Sequence, residues 1–174
     1  PQWRRDVAEK VAPGNVIKAY LVYETPFWRE RGLSGQSSSD EGAVRVTFDT
    51  TLADSTRGLL MGFFEGNEAD SLAHRSLETR RRAFVESAVR AFGAEAAEPI
   101  EYLERDWSAE QYTWGCHGAH FAPGIWTSNG PVLAAPDGCL YWAGAEYSTK
   151  FNGYMEGAVR SGEEVAATIA VALI

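Results

Sequence analysis

The run VIKAYLVYETPFW, residues 16–28, leaves a folded chain few choices. Both of its faces are largely apolar, and it is rich in β-branched and aromatic residues. That pattern predicts a central strand buried on both faces, which must have neighbours on either side. AVRVTFDT (43–50) alternates and ends in a turn, and GLLMGFFEG (58–66) is a short apolar run. With the first strand they make an antiparallel meander, joined by the polar Gly/Ser loop RGLSGQSSSDEG at 31–42.

From Ser76 the period changes. Leu77, Phe84, Ala88 and Phe92 recur at helical spacing, Arg80, Arg81 and Arg82 fall mostly outside, and Gly93 supplies the stop. Ser76 is placed to cap this helix, with Glu78 in the first turn, where the dipole favours an acid. PIEYLERDW (99–107) reads as another strand, followed by a long turn-rich segment over 108–137. The last third differs in kind. CLYWAGAEYS (139–148) reads as a compact strand running into small residues. A helix over 153–173 then aligns Ala158, Gly162, Val165, Ala166, Ile169 and Leu173 on one face. Gly157, Ala158 and Gly162 let that helix lie close to a sheet or a ligand. Strand, small-residue turn and helix N-terminus in that order form an arrangement that binds anionic cofactors through backbone N–H groups. The fold class expected is α+β.

Composition removes several functions. Sixteen basic against 24 acidic residues give a net charge of −8, so phosphate-rich partners, nucleic acid and anionic membrane surfaces are disfavoured. No uncharged apolar stretch is long enough to span a bilayer. The opening PQWRRDVAEKVAPG carries charges where a signal peptide needs an apolar core. Two cysteines, Cys116 and Cys139, imply no disulfide framework and fit a reducing, cytoplasmic setting. The absence of an initiator Met leads us to expect a piece of a longer polypeptide.

Three features could carry chemistry. Lys18 interrupts the apolar strand, and an ammonium there must reach water or find partners. It is either a lysine that extends to the surface or an amine held at a cofactor or a catalytic water. Cys116-His117-Gly118-Ala119-His120 offers a thiol and two imidazoles, too few for a closed zinc site, while neighbours on a chain rarely face each other as nucleophile and base. A buried thiol in a turn is the simplest reading. Finally, Trp107, Tyr112, Trp114, Phe121, Trp126, Tyr141, Trp142, Tyr147, Phe151 and Tyr154 crowd the C-terminal part, as core or as a surface for a planar cofactor or an amine.

Taken together, GNVIKAYLVYETPFWRE, YTWGCHGAHFAPGIWTSNGPVL and YWAGAEYSTKFNGYMEGAVRSGEEVA resemble the flavin-containing monoamine oxidase family, in the expected order from about Gly14 onward. The resemblance implies an FAD cofactor, an amine substrate and O2. Lys18 matches the family lysine that faces the flavin N5 through a water. Cys116 matches the cysteine that some members join to the flavin 8α-methyl as a thioether, a bond that other members lack. Trp107 and Tyr112 match aromatics packed beside the isoalloxazine, and His117 and Tyr154 match the two walls of the substrate's aromatic cage. The family often has Tyr at the first wall, so His117 is a departure. Gly144 and Glu146 lie in the family's glycine-threonine-glutamate turn, with Ala145 in place of the threonine. Gly153, Tyr154 and Met155 open the helix whose N-terminus faces the flavin pyrimidine and phosphates.

The family's GxGxxG fingerprint is found nowhere in this sequence. The expectation is therefore a C-terminal part, inactive until an N-terminal FAD-binding half or a second chain supplies the rest. Residues 1–106 would be a portion of a mixed or antiparallel substrate-binding domain with a flanking helix, and 107–138 a flavin-facing turn-rich segment. Residues 139–174 would be the last strand and helix of a Rossmann-like FAD-binding domain. One alternative is a non-catalytic binding module of the same fold, sticky or dimeric through its uncovered apolar surface. Another is a thiol hydrolase built on Cys116.

Overall fold

The computed structural model describes residues 1–116 and 118–172. In chain order its elements are α1 (Gln2–Lys10), β1 (Val11–Pro13), β2 (Val16–Tyr23), α2 (Phe27–Glu30), β3 (Ser37–Ser38), β4 (Val46–Asp49) and β5 (Gly58–Glu65). There follow α3 (Asn67–Ala73), α4 (Leu77–Phe92), β6 (Glu101–Asp106), β7 (Ala119–Phe121), α5 (Ile125–Asn129) and α6 (Met155–Ala172), with short 3-10 turns between. The chain divides into two units, Asn15–Cys116 and the combination of Pro1–Gly14 with His117–Ile174.

The Asn15–Cys116 unit is built on an antiparallel sheet of order β3-β4-β5-β2-β6. β3, β4 and β5 follow one another as a meander, but β2 does not lead into it as expected. It crosses to the far side of β5 and lies between β5 and β6, Ile17 opposite Phe64 on β5 and opposite Asp106 on β6, because an interior place gives its doubly apolar run a neighbour on either side. The strand ends at Tyr23, sooner than the apolar run suggests, because Pro26 turns the chain into α2 and sends Trp28 into the core. Ile17, Ala19, Leu21 and Tyr23 share one face of β2 and pack with Leu60 and Phe64 against Phe84, Ala88 and Phe92 of α4. Burying such side chains contributes roughly 1.5–3 kcal/mol each, which makes this layer the main source of the unit's stability.

Helix α4 begins as expected, with the Ser76 hydroxyl accepting the Thr79 N–H and Gly93 at the C-cap in a positive-φ conformation. Two residues differ from the sequence pattern. Leu77 is exposed, since a first-turn side chain leans back toward the N-terminus, away from the layer that the helix covers. Arg80 is drawn inward: its Nε donates to both Glu104 carboxylate oxygens and its Nη1 to the Leu72 carbonyl. The hydrogen bond to Glu104 raises the Arg80 pKa, while burial, and then the same carboxylate, pushes that of Tyr102 upward.

In the other unit, α1 leads into β1, which pairs antiparallel with β7, Ala12 opposite His120. Arg4 on α1 donates from Nη2 to the Leu133 and Ala135 carbonyls and stacks on the Trp142 ring at 4.3 Å. Residues 139–148, expected as a strand, form no ladder among the described residues. They contain the Leu140 half of an isolated bridge to Asp137 and a 3-10 turn over Ala145–Tyr147. An extended segment counts as a strand only when another strand takes up its N–H and C=O groups, and no described segment does so. Helix α6 spans nearly the expected range, and Leu173 lies outside the described residues. Of its expected apolar stripe, Ala158, Gly162, Val165 and Ile169 are partly buried and Ala166 is exposed; the helix's fully buried residues are Gly157 and Ser161, and Val159 and Val171 are exposed. No helix is long and apolar enough to cross a membrane among the described residues.

Candidate active site

In the Asn15–Cys116 unit, the face of the sheet opposite α4 carries the candidate residues. Alternation along β2 places Lys18 and Tyr20 on that side, both partly buried, where the other face holds the core. The Lys18 Nζ lies 5.5 Å from the Tyr20 ring centroid and 6.0 Å from that of Phe63, so that an aromatic floor underlies an ammonium with no acidic partner among the described residues. Phe48 extends the floor, edge-on to Phe63 at 6.4 Å.

Trp107 is fixed beside the start of the same strand, its N–H donating to the Val16 carbonyl at 3.2 Å. Its indole Nε1 is buried and has no partner among the described residues. From there the chain winds tightly: Asp106 accepts the N–H groups of Ser108 and Ala109, and the Glu110 carbonyl accepts those of Thr113 and Trp114. Arg105 closes the turn with an ion pair to Glu110 at 2.9 Å. This winding leaves Tyr112 91% exposed and Trp114 exposed at φ 59, a left-handed conformation uncommon for a bulky residue. Cys116 is partly buried and unpaired, and Cys139 is free as well. Cys116 therefore offers a free thiol, while His117, the candidate cage wall, lies outside the described residues.

In the other unit, Gly144, Ala145, Glu146, Gly153, Tyr154 and Met155 are brought together. Gly144 opens the 3-10 turn, the Ala145 carbonyl accepts the Gly153 N–H at 3.1 Å, and the Glu146 carbonyl accepts the Asn152 amide at 2.8 Å. The Glu146 carboxylate accepts the Ala119 N–H at 3.2 Å. Beside this knot is a cavity of about 250 Å3, bordered by Gly118, Phe121, Trp126, Glu146, Asn152 and Gly153. Tyr154 and Met155 are exposed. At Gly157 an added Cβ would lie 2.3 Å from the Phe151 carbonyl oxygen, so only glycine lets α6 start this close to the preceding loop.

The N–H groups of Ala145 and Glu146, and those of Met155, Glu156 and Gly157 at the start of α6, have no acceptor among the described residues. Free donors at a turn and a helix N-terminus suit an acceptor-rich anionic group. Asn152, which also donates to the Ser148 carbonyl, escaped the sequence reading. It lies in an irregular loop where periodicity carries no signal.

The chain belongs to the flavin containing amine oxidoreductase family, whose model matches residues 1–170. Its relatives are flavin-containing amine oxidases, oxidoreductases acting on amines. It is 36% identical over 176 residues to amine oxidase (flavin-containing) A of Equus caballus, covering 99% of this chain and 33% of that protein. Among solved structures it is similar to a putrescine oxidase bound to putrescine, with TM-score 0.92 and 33% identity over 98% of this chain and 38% of that one. A cyclohexylamine oxidase from Brevibacterium oxydans IH-35A also gives TM-score 0.92, at 34% identity, over 99% of this chain and 38% of that one. The chain thus spans 33% to 38% of the length of these relatives. A flavin, the family's cofactor, fits the residues present: it is rich in acceptors, and the turn and helix start described above offer donors.

Proposed function

We propose that this chain is the C-terminal part of a flavin-dependent amine oxidase, its Asn15–Cys116 unit a portion of the substrate-binding domain and its 139–174 segment the closing part of a Rossmann-like FAD-binding domain. The observation that carries this is the cluster of free N–H groups on the Gly144–Glu146 turn and the α6 start, within a chain that matches the family along nearly its whole length.

The chemistry that a bound FAD would supply is a two-electron, two-proton oxidation of R–CH2–NH2 to R–CH=NH, with O2 taking up both electrons and both protons as hydrogen peroxide. Ala145, Glu146 and the first residues of α6 hold the cofactor through backbone donors. Trp107 and Tyr112 supply aromatic surface to its ring. Lys18 holds a water, its ammonium donating from its place over the Tyr20 and Phe63 rings. Tyr154 and His117 orient the amine and exclude bulk solvent. The unpaired Cys116 is the candidate for a thioether to the cofactor, and free thiols suit a reducing, cytoplasmic setting. With no GxGxxG segment, the chain alone is not expected to turn over amines.

The test is co-expression with the region that the relatives have outside the match. A visible flavin spectrum, bleached anaerobically by amines, is the expected result, and no flavin uptake overturns the proposal. The mass of the denatured chain decides the bond to Cys116: an added FAD mass, lost in Cys116→Ala, establishes it, and an unmodified chain removes it.

A further inference from the structure

We infer that Ser161 is a positioning residue for the cofactor-facing turn, aiming the free N–H of Ala145 by gripping the backbone of Gly144. The inference rests on the flavin reading above. Ser161 sits in the second turn of α6 and is 3% exposed. Its Oγ accepts the Gly144 N–H at 2.9 Å and lies 2.9 Å from the Gly144 carbonyl oxygen, to which it donates. A serine within a helix ordinarily returns its proton to a carbonyl of the preceding turn, and Ala158 O, at 3.0 Å, offers that bond here. The double hold on Gly144 goes beyond what the helix requires.

A peptide unit is planar and trans, so a carbonyl and the N–H that follows it point in opposite directions. Holding the Gly144 carbonyl therefore aims the Ala145 N–H, and holding the Ala145 carbonyl aims that of Glu146. The second hold comes from Gly153 N–H, and Tyr147 N–H assists at the Gly144 carbonyl from 3.1 Å. Every one of these other braces grips a carbonyl. Among the described residues only Ser161 also grips the Gly144 N–H, and so fixes the peptide planes on both sides of Gly144. Gly144 has no side chain to restrain it and Ala145 has no polar group of its own, so without the hydroxyl the peptide plane ahead of Gly144 is unheld, the Gly144 carbonyl keeps only the Tyr147 N–H, and the turn's donors lose part of their aim.

A merely structural hydroxyl would affect stability alone. Ser87 is the matched comparison: it is 6% exposed, accepts the Val44 N–H at 3.3 Å and returns a bond to the Ala83 carbonyl at 3.1 Å, but in the core of the other unit. The experiment measures FAD dissociation constants by fluorescence quenching, together with melting temperatures, on the co-expressed assembly as wild type, Ser161→Ala, Ser161→Thr and Ser87→Ala, each carrying Cys116→Ala so that the cofactor exchanges freely. Ser161→Ala is expected to weaken FAD binding about tenfold, Ser161→Thr to restore it, and Ser87→Ala to lower the melting temperature while affinity stays within about twofold. FAD affinity in Ser161→Ala equal to wild type, or an equal loss in Ser87→Ala, overturns the inference while leaving the flavin reading intact. A wild-type assembly that takes up no flavin overturns both. If Ser161→Ala does not fold, Ser161→Cys, close in volume but weak in hydrogen bonding, serves in the same comparison.

Discussion

Lys18 is the sole charged side chain between Val16 and Tyr23, and alternation along the strand explains how it is tolerated. It faces away from the α4 core, over the Tyr20 and Phe63 rings, so the core does not need its charge. Lys18→Met should therefore fold with a near-native melting curve while slowing anaerobic flavin bleaching by amines roughly 100-fold in the assembled protein. Equal rates would remove Lys18 from the mechanism. Asp49 carries a pH dependence. Burial works to raise its pKa, but hydrogen bonds from Arg29, Thr51 and Trp28 outweigh that and hold it down to about 2 from the usual 3.8. A carboxylate depressed on folding contributes its stability above its unfolded pKa, and that contribution disappears as the pH falls from 3.8 towards 2. Denaturation midpoints should accordingly show an acid loss of about 2 kcal/mol in wild type that is missing from Asp49→Asn.

At the scale of elements, the sequence was most readable where a period and a cap agreed. The Ser76 cap and the Gly93 stop of α4, and the run of β2, depend on local chemistry that neighbours cannot override. Arg80 lies inward of the place its spacing gives it because the outward side of a helix ceases to be outward when a glutamate from a strand meets it. Residues 139–148 depart from expectation for a related reason: their composition suits a strand, but pairing is a property of two segments, and one sequence cannot display the second. Of the candidate residues, Lys18 and the Gly144–Glu146 turn could be named from the sequence, whereas Ser161 and Asn152 act through side-chain hydrogen bonds to the backbone that leave no trace in spacing. Gly62 tests the packing between elements. An added Cβ would lie 2.5 Å from Val44 Cγ1 and 2.7 Å from Phe84 Cζ. Gly62→Ala should cost about 1–3 kcal/mol in chemical denaturation through overpacking of the sheet against α4. A neutral result would mean that the Phe84 ring can move aside.

For the molecule as a whole, the distribution of burial is uneven. The Asn15–Cys116 unit has a closed aromatic core, while α6 keeps Val159 and Val171 in water and Tyr154 and Met155 are more exposed than their size favours. Expressed alone, the chain should bind the dye ANS, and co-expression with the region outside the family match should abolish most of that signal. Dye binding unchanged by co-expression would mean that the complementing region leaves these surfaces uncovered.

The edges of the sheet decide what form any self-association takes. Among the described residues β3 borders it on one side with only two residues, and β6 on the other, where four of its six positions are charged: Glu101, Glu104, Arg105 and Asp106. A border of that kind is a poor template for a second copy's backbone. Chains deprived of their complement would thus clump through greasy patches into amorphous precipitate that redissolves in mild denaturant, instead of growing the stacked ribbons of amyloid.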